Sequence, residues 1–231
     1  MTELLVVGAI ATNCWIYAWD APAKGIGECA VIDPGADAEA IIARLERLKL
    51  RPRYILLTHG HFDHIAALPA LAAEYGDSPP IIAIHRGDRD YLGPRARQIH
   101  RTSFAAAAGN AAYVDALWED MPAATEILDE GSVIGPFTVL HLPGHTPGSA
   151  AFYDRDAKLL FSGDTLFRDG FGRTDLPGGD WSQLQRSLHR LFAMDGATGV
   201  YPGHGETTTI GEESDQGGAF PAGPDGVPGP R

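Results

Sequence analysis

The chain has 231 residues, 44% hydrophobic and 21% charged, the make-up of an ordinary globular protein with enough length for one large core. Acidic side chains outnumber basic ones 30 to 18, and the net charge of -12 argues against nucleic acid or an anionic membrane as a partner. Two cysteines, Cys14 and Cys29, are too few for a disulfide framework or a cysteine-based zinc site, the opening MTELLVV lacks a basic leader region, and no apolar run reaches the roughly 18 residues of a membrane span, so a cytoplasmic location is expected.

Apolar runs predict strands at 3–8, 13–19 and 29–33. Residues 37–50 follow as a helix, with Ile41, Ile42, Leu45 and Leu48 on one face and Asp37 as its N-cap. A strand at 53–58 comes next, then a helix from Asp63 to Gly76 in which Pro69 threatens a kink, then a buried strand at 81–84. The second half repeats the alternation with strands at 137–142, 150–154, 158–163 and 199–202 and an amphipathic helix over 181–194. Strands in groups punctuated by helices predict an α/β fold in which sheets pack face to face with helices outside.

Two stretches break this rhythm. Residues 85–124 bring together Arg86, Arg89, Arg95, Arg97 and Arg101 ahead of an alanine-rich run, a basic patch on an acidic chain. They read either as a solvated helical excursion or as a cover over a site that attracts an anionic substrate. Residues 212–231 hold five glycines and four prolines with little that is apolar, and a disordered tail is expected there, leaving 1–211 as the folded domain.

The chemistry concentrates in Thr58-His59-Gly60-His61-Phe62-Asp63-His64, directly after an apolar strand. A packed core has no use for so many polar nitrogens, each of which needs a partner, and a metal centre accounts for them. His59 and His61, at i and i+2 in a loop, can converge on one point, while Asp63 and His64 at a helix start point elsewhere. Four such donors imply two metal positions, each completed from distant chain. His145 in LPGHTPGS, Asp164 in FSGDTLF and His204 in YPGHGETT, all on glycine turns after strands, are the candidates. The isolated His85, His100, His141 and His189 read as structural. There is no GxSxG elbow and no phosphate-cradling glycine loop.

In this order, VIDPG, THGHFDH, PGHTPGS, SGDTLF and PGHG resemble the five motifs of the metallo-β-lactamase superfamily over roughly residues 3–211. TNCWIY, FGRTDLPGGDW and YPGHGETTTIGEE are similar to its glyoxalase II, or hydroxyacylglutathione hydrolase, branch, especially the short single-domain bacterial members. The resemblance implies the αβ/βα four-layer sandwich. It also implies one metal on His59, His61 and His145, a second on Asp63, His64 and His204, and Asp164 bridging both, with Asp63 and Asp164 the catalytic carboxylates beside a metal-bound hydroxide. Asp33 would stand behind the ligands and Arg173, in GRTD, would meet a substrate carboxylate.

The cofactors implied are two divalent transition ions, zinc in the first instance, with iron or manganese equally suited to histidine and carboxylate. The substrate implied is a small, anionic acyl thioester of the S-lactoylglutathione type. A mono-iron glutathione persulfide dioxygenase, a lactonase or β-lactamase, and a non-enzymatic metal-binding protein are the alternative readings.

Overall fold

Period-two alternation along three neighbouring strands decides the architecture. In β2 (Thr12–Tyr17), Cys14 and Ile16 face one core while Trp15 and Tyr17 face another. β3 (Gly27–Ile32) and β4 (Leu50–Leu57) repeat this, with Cys29, Val31, Ile55 and Leu57 on the first side and Ala30, Ile32, Tyr54 and Leu56 on the second. A sheet apolar on both faces must be covered on both faces. The structure is a computed structural model that describes residues 1–20 and 25–216.

The first sheet has six strands in the order β1-β2-β3-β4-β5-β6, with β1 (Thr2–Val7), β5 (Ile81–His85) and β6 (Glu126–Leu128). Its outer face carries α1 (Ala38–Leu48), α2 (Phe62–Ile65), α3 (Leu68–Glu74), α4 (Ala96–Ala108) and α5 (Ala112–Leu117). The second sheet runs β14-β13-β10-β9-β8-β7, from β7 (Val133–Ile134), β8 (Phe137–His141), β9 (Ala150–Asp154), β10 (Leu159–Gly163), β13 (Gly199–Pro202) and β14 (Thr208–Thr209). Helices α6 (Trp181–Phe192) and α7 (Ile210–Gln216) cover it, and a hairpin of β11 (Leu166–Phe167) and β12 (Gly170–Phe171) projects beyond β10.

This is the expected αβ/βα sandwich. Between the sheets, Trp15, Tyr17, Phe137, Phe152 and Phe161 form an aromatic core in which one ring lost would cost about 3–5 kcal/mol. Tyr17 donates to Asp154 at 2.7 Å and Trp15 Nε1 to the Pro202 carbonyl at 3.0 Å, so polar ties join the two sheets inside this layer. Both cysteines are buried and free. Among the described residues no helix is long and apolar enough to cross a membrane.

Several local expectations change. Asp37 makes no side-chain cap; it takes a left-handed conformation and its carboxylate accepts from the Gly8 amide at 2.8 Å instead. Pro69 does not kink a helix but opens a new one, because the chain breaks after Ile65 and the proline occupies the first turn of α3, where no amide partner is needed. The tail expected from residue 212 does not start there. Residues 212–216 continue α7, and Glu213 is buried with its carboxylate accepting from Thr208 Oγ1 at 2.6 Å and the Asp169 amide at 3.0 Å. Residues 217–231 lie outside the described residues.

Glu213 therefore braces the hairpin that follows Asp164. Glu213→Ala is expected to lower unfolding free energy by about 1–3 kcal/mol by stranding the Asp169 amide and leaving Thr208 Oγ1 only the Glu212 carboxylate at 2.9 Å, read as a shifted urea midpoint. Truncation after Gly211 should destabilise at least as much.

At the open end of the sheets, His85 stacks on His141 with ring centroids 3.8 Å apart. Burial, then the neighbouring His141, hold His85 down to about 4. A base lowered from about 6.5 in the unfolded chain favours folding fully above that value and loses the contribution as pH falls toward 4. Urea midpoints measured between pH 4 and 7 should fall more steeply in the parent chain than in His85→Gln; identical slopes would rule out the stacked pair as a source of acid sensitivity.

Candidate metal centre

The site lies where strand ends of both sheets open on one side. β4 ends at Leu57 and releases the His59–His64 segment; β3 ends one residue before Asp33; β8 leads to His145, β10 to Asp164 and β13 to His204. Close packing explains the glycines. At Gly203 a Cβ would lie 2.2 Å from Asp164 Oδ1, and at Gly163, where φ is +51°, it would lie 2.3 Å from Thr58 Oγ1.

Two groups of donors result. One ligating atom each from His59, His61 and His145 lies within 4.8 Å of the others, as do those of Asp63, His64 and His204. Asp164 faces both, with Oδ1 3.5 Å from His64 Nε2 and Oδ2 3.5 Å from His204 Nε2 and 3.6 Å from His145 Nε2. The structure thus brings the seven candidate donors together, with His59, His61 and His145 in one group, Asp63, His64 and His204 in another, and Asp164 between them. Asp33 also lies near His59 and His64 but is already occupied: it accepts from the Thr58 amide at 2.8 Å, Thr58 Oγ1 at 2.6 Å and His64 Nδ1 at 3.0 Å. Its backbone holds φ at +53°, a conformation costly for a non-glycine residue, to keep that aim.

The hydrogen bonds assign the imidazole tautomers. His64 Nδ1 must donate to Asp33, His145 Nδ1 to the Arg173 carbonyl at 2.8 Å, and His204 Nδ1 to the Ala11 carbonyl at 3.2 Å. Because the Thr58 hydroxyl proton goes to Asp33, His59 Nδ1 donates to Thr58 Oγ1 at 3.1 Å. In the neutral rings each Nε2 is then a bare lone pair. His59, His61 and His145 Nε2 and Asp164 Oδ1 are buried without a hydrogen-bond partner, and His64 Nε2 faces His204 Nε2 at 3.2 Å, acceptor against acceptor.

A cation resolves the conflict. Donors held about 2.0–2.1 Å from a tetrahedral ion stand about 3.3 Å from one another. The separations His64–His204, His64–Asp63 and His204–Asp63 are 3.2, 3.5 and 3.5 Å. The residues fit the ions that the motif resemblance implies.

The electrostatics agree. Burial, then the surrounding histidines, push His59 well below its ordinary range, and burial with His145 does the same to His61, so both are neutral donors. Burial also disfavours charge on His64, but Asp164, Asp63 and Asp33 outweigh it and raise it to about 10. Without a metal, a proton would sit where the cation belongs. Asp63, against its own burial, is held below the carboxylate range by His64 and His204.

Sequence reading did not single out Thr12 or Asn13. Thr12 Oγ1 donates to Asp63 Oδ2 at 3.2 Å, and Asn13 Nδ2 donates to the Pro202 and Gly205 carbonyls at 3.0 and 2.8 Å, clamping the turn that carries His204. Only the antiparallel return of β2 past β13 reveals this. His100, read as structural, lies buried on α4 and lines the pocket over the donors.

That pocket, a cavity of about 320 Å³, is walled on its α4 side by Phe104, Ala107 and Ala108 and across from them by Ile10, Leu176 and Arg173. The 85–124 excursion does cover the site, but not with its arginines. Arg86 pairs with Asp129, Arg89 and Arg95 with Asp90, and Arg97 and Arg101 with Asp115, and none of the five lines the cavity. The basic patch is surface in which three carboxylates pair the five arginines. Arg173 does reach the cavity, half-exposed and bonded through two nitrogens to Asp175 at 2.7 Å each.

The metallo-beta-lactamase superfamily pattern matches residues 7–204, and the chain belongs to that superfamily of metallo-hydrolases. It is 35% identical over 212 residues to hydroxyacylglutathione hydrolase GloC of Haemophilus influenzae, covering 91% of this chain and 93% of that protein. Among solved structures it is similar to BLEG-1, a B3 metallo-beta-lactamase, at 36% identity and TM-score 0.79, over 93% of this chain and 97% of that one. It is also similar to TTHA1623 in a di-iron-bound form, at 36% identity and TM-score 0.74, over 92% and 96% of the two chains.

Replacing Asp33 by Asn leaves too few acceptor positions for Thr58 and His64 together. Zinc affinity should fall roughly 10- to 100-fold in chelator competition, the usual cost of an outer-shell partner. An Asp33→Asn chain that binds as tightly as the parent would remove Asp33 from the site.

Proposed function

We propose that the chain is a dinuclear metal-dependent hydrolase of acyl thioesters, with a hydroxyacylglutathione of the S-lactoylglutathione type as leading substrate. The observation that carries the metal part is the set of buried Nε2 lone pairs facing one another and Asp164 with every Nδ1 already engaged on His59, His64, His145 and His204. His59, His61 and His145 would hold one ion, Asp63, His64 and His204 the other, and Asp164 would touch both. Two divalent cations there supply Lewis acidity, polarising a carbonyl and bringing a water's pKa down to about 7. Zinc suits this donor set, as do iron and manganese.

The rest of the work belongs to side chains. The outer acceptors keep each imidazole in one tautomer and orientation, so the donor positions are set before any ligand arrives. Phe104, Ala107, Ala108, Ile10 and Leu176 give the cavity over the donors an apolar wall against which an acyl chain can lie. A thiolate, whose conjugate acid has a pKa near about 8.5, leaves without a proton donor, whereas an amide nitrogen requires one. Similarity to GloC across nearly the whole chain supports the glutathione carrier. Arg173 is the residue at the cavity that can meet a carrier carboxylate, in exchange for or alongside Asp175.

Similarity to BLEG-1 favours one second reading, a lactam-opening hydrolase with the same donors.

Elemental analysis of the purified chain is expected to find two transition-metal ions per chain, and chelation to abolish thioester hydrolysis until metal is returned. Arg173→Ala should raise KM for a glutathione thioester more than it lowers kcat, because a contact remote from the carbonyl is largely uniform binding. A neutral thioester should be nearly indifferent. Turnover of a β-lactam with none of a thioester would select the second reading, and one tightly held iron with sulfite formed from glutathione persulfide would replace both.

A further inference from the structure

Asp88 is fully buried in the 3-10 turn Arg86–Tyr91, at the start of the excursion, and belongs to neither donor group. Its carboxylate takes three hydrogen bonds. Oδ2 accepts from the Gly60 amide at 2.9 Å and from Thr146 Oγ1 at 2.7 Å, and Oδ1 accepts from the Gly148 amide at 2.7 Å. Gly60 stands between His59 and His61, and Thr146 directly follows His145. One carboxylate thus joins the loop leaving the first sheet to the loop of the second at Gly60 and Thr146, between or beside all three histidines of one group, while Asp63 and His64 of the other group follow on α2. The fit is close: a Cβ on Gly148 would lie 2.6 Å from Asp88 Cγ, and one on Gly87 would lie 2.6 Å from the Pro147 carbonyl.

The second group is oriented from elsewhere. Thr12 holds Asp63, Asp33 holds His64, and the Ala11 carbonyl holds His204. Resting on the two-site reading above, we propose that Asp88 is a positioning residue specific to the three-histidine site, setting the gap between His59–His61 and His145.

The chemistry requires a carboxylate. The Gly60 and Gly148 amides can only donate. Thr146 Oγ1 lies 2.8 Å from Ser149 Oγ, from which it can accept, leaving its own proton for Asp88. An asparagine amide would turn its NH2 toward one of the two backbone N–H groups, donor against donor, and strand it in a buried place. Asp88→Asn therefore pushes apart loops that the aspartate draws together.

Zinc alone, titrated into the full chain against a competing chelator, tests this in two backgrounds. His204→Ala keeps the three-histidine site and His61→Ala keeps the other. Asp88→Asn is expected to weaken zinc roughly 10- to 100-fold in the first background. In the second it should change affinity by no more than about twofold, as for uncoupled positions. Equal losses in both backgrounds would make Asp88 a general structural residue and overturn the proposal, as would no loss in either. Should Asp88→Asn fail to fold, Thr146→Val removes one of the three bonds and Thr146→Ser restores the hydroxyl: weakened zinc with valine and recovery with serine, in the His204→Ala background only, supports the proposal, and identical affinities overturn it. A parent chain that takes up no zinc defeats the two-site reading itself, and this proposal with it.

Discussion

Everything in this molecule is arranged around a repulsion. Imidazole lone pairs and carboxylate oxygens, each of which would be better placed in water, are held facing one another in a buried pocket, with His64 and His204 Nε2 only 3.2 Å apart. Only a scaffold rigid enough to resist that repulsion, or a cation to remove it, keeps such an arrangement. The scaffold is two sheets sharing an aromatic core, and the donors sit on turns leaving strand ends, where the backbone direction is fixed by pairing on both sides.

A second layer of acceptors converts this scaffold into a metal centre. Asp33 is its hub, because one carboxylate orders Thr58, and through it His59, and also His64. Both metal positions therefore depend on a residue that can coordinate neither without giving up its own partners. On the far side the Arg173 carbonyl holds His145, so GRTD contributes a backbone oxygen to the site as well as a side chain to the cavity. A main-chain contact of this kind survives any substitution of the side chain, which separates the two roles of Arg173 physically.

The excursion over 85–124 shows how charge in a sequence misleads. Its arginines are close along the chain, yet each has a carboxylate within reach, and ion pairs at an exposed surface leave little field to steer a substrate. What α4 presents to the cavity is instead apolar, Phe104, Ala107 and Ala108, apart from His100 and Ser103. Its base is more consequential, since the turn holding Asp88 is where the excursion grips both ligand loops.

The sequence alone determined the layers, because strand segments such as CAVI and YILL, apolar on both alternating faces, require two buried faces. It also marked the candidate donors, because histidines and aspartates crowded beside glycine turns carry more lone pairs than a protein interior can satisfy without a cation. His59, His61, Asp63, His64, His145, Asp164 and His204 were all legible as candidates in that way, whereas Asp33 came only from the motif resemblance. Short elements such as β6, β7 and β14 were not, since a few residues carry no period and are held as strands by their neighbours. Nor was the buried part of α7, whose polar sequence gains order only because Glu213 finds donors on β14 and the hairpin. Thr12 and Asn13, though inside TNCWIY, showed no role there, and Asp88 stood outside every motif. Their roles come from hydrogen bonds to residues distant in the chain, and a hydrogen-bond partner is a fact of three-dimensional proximity that residue type and local spacing do not encode.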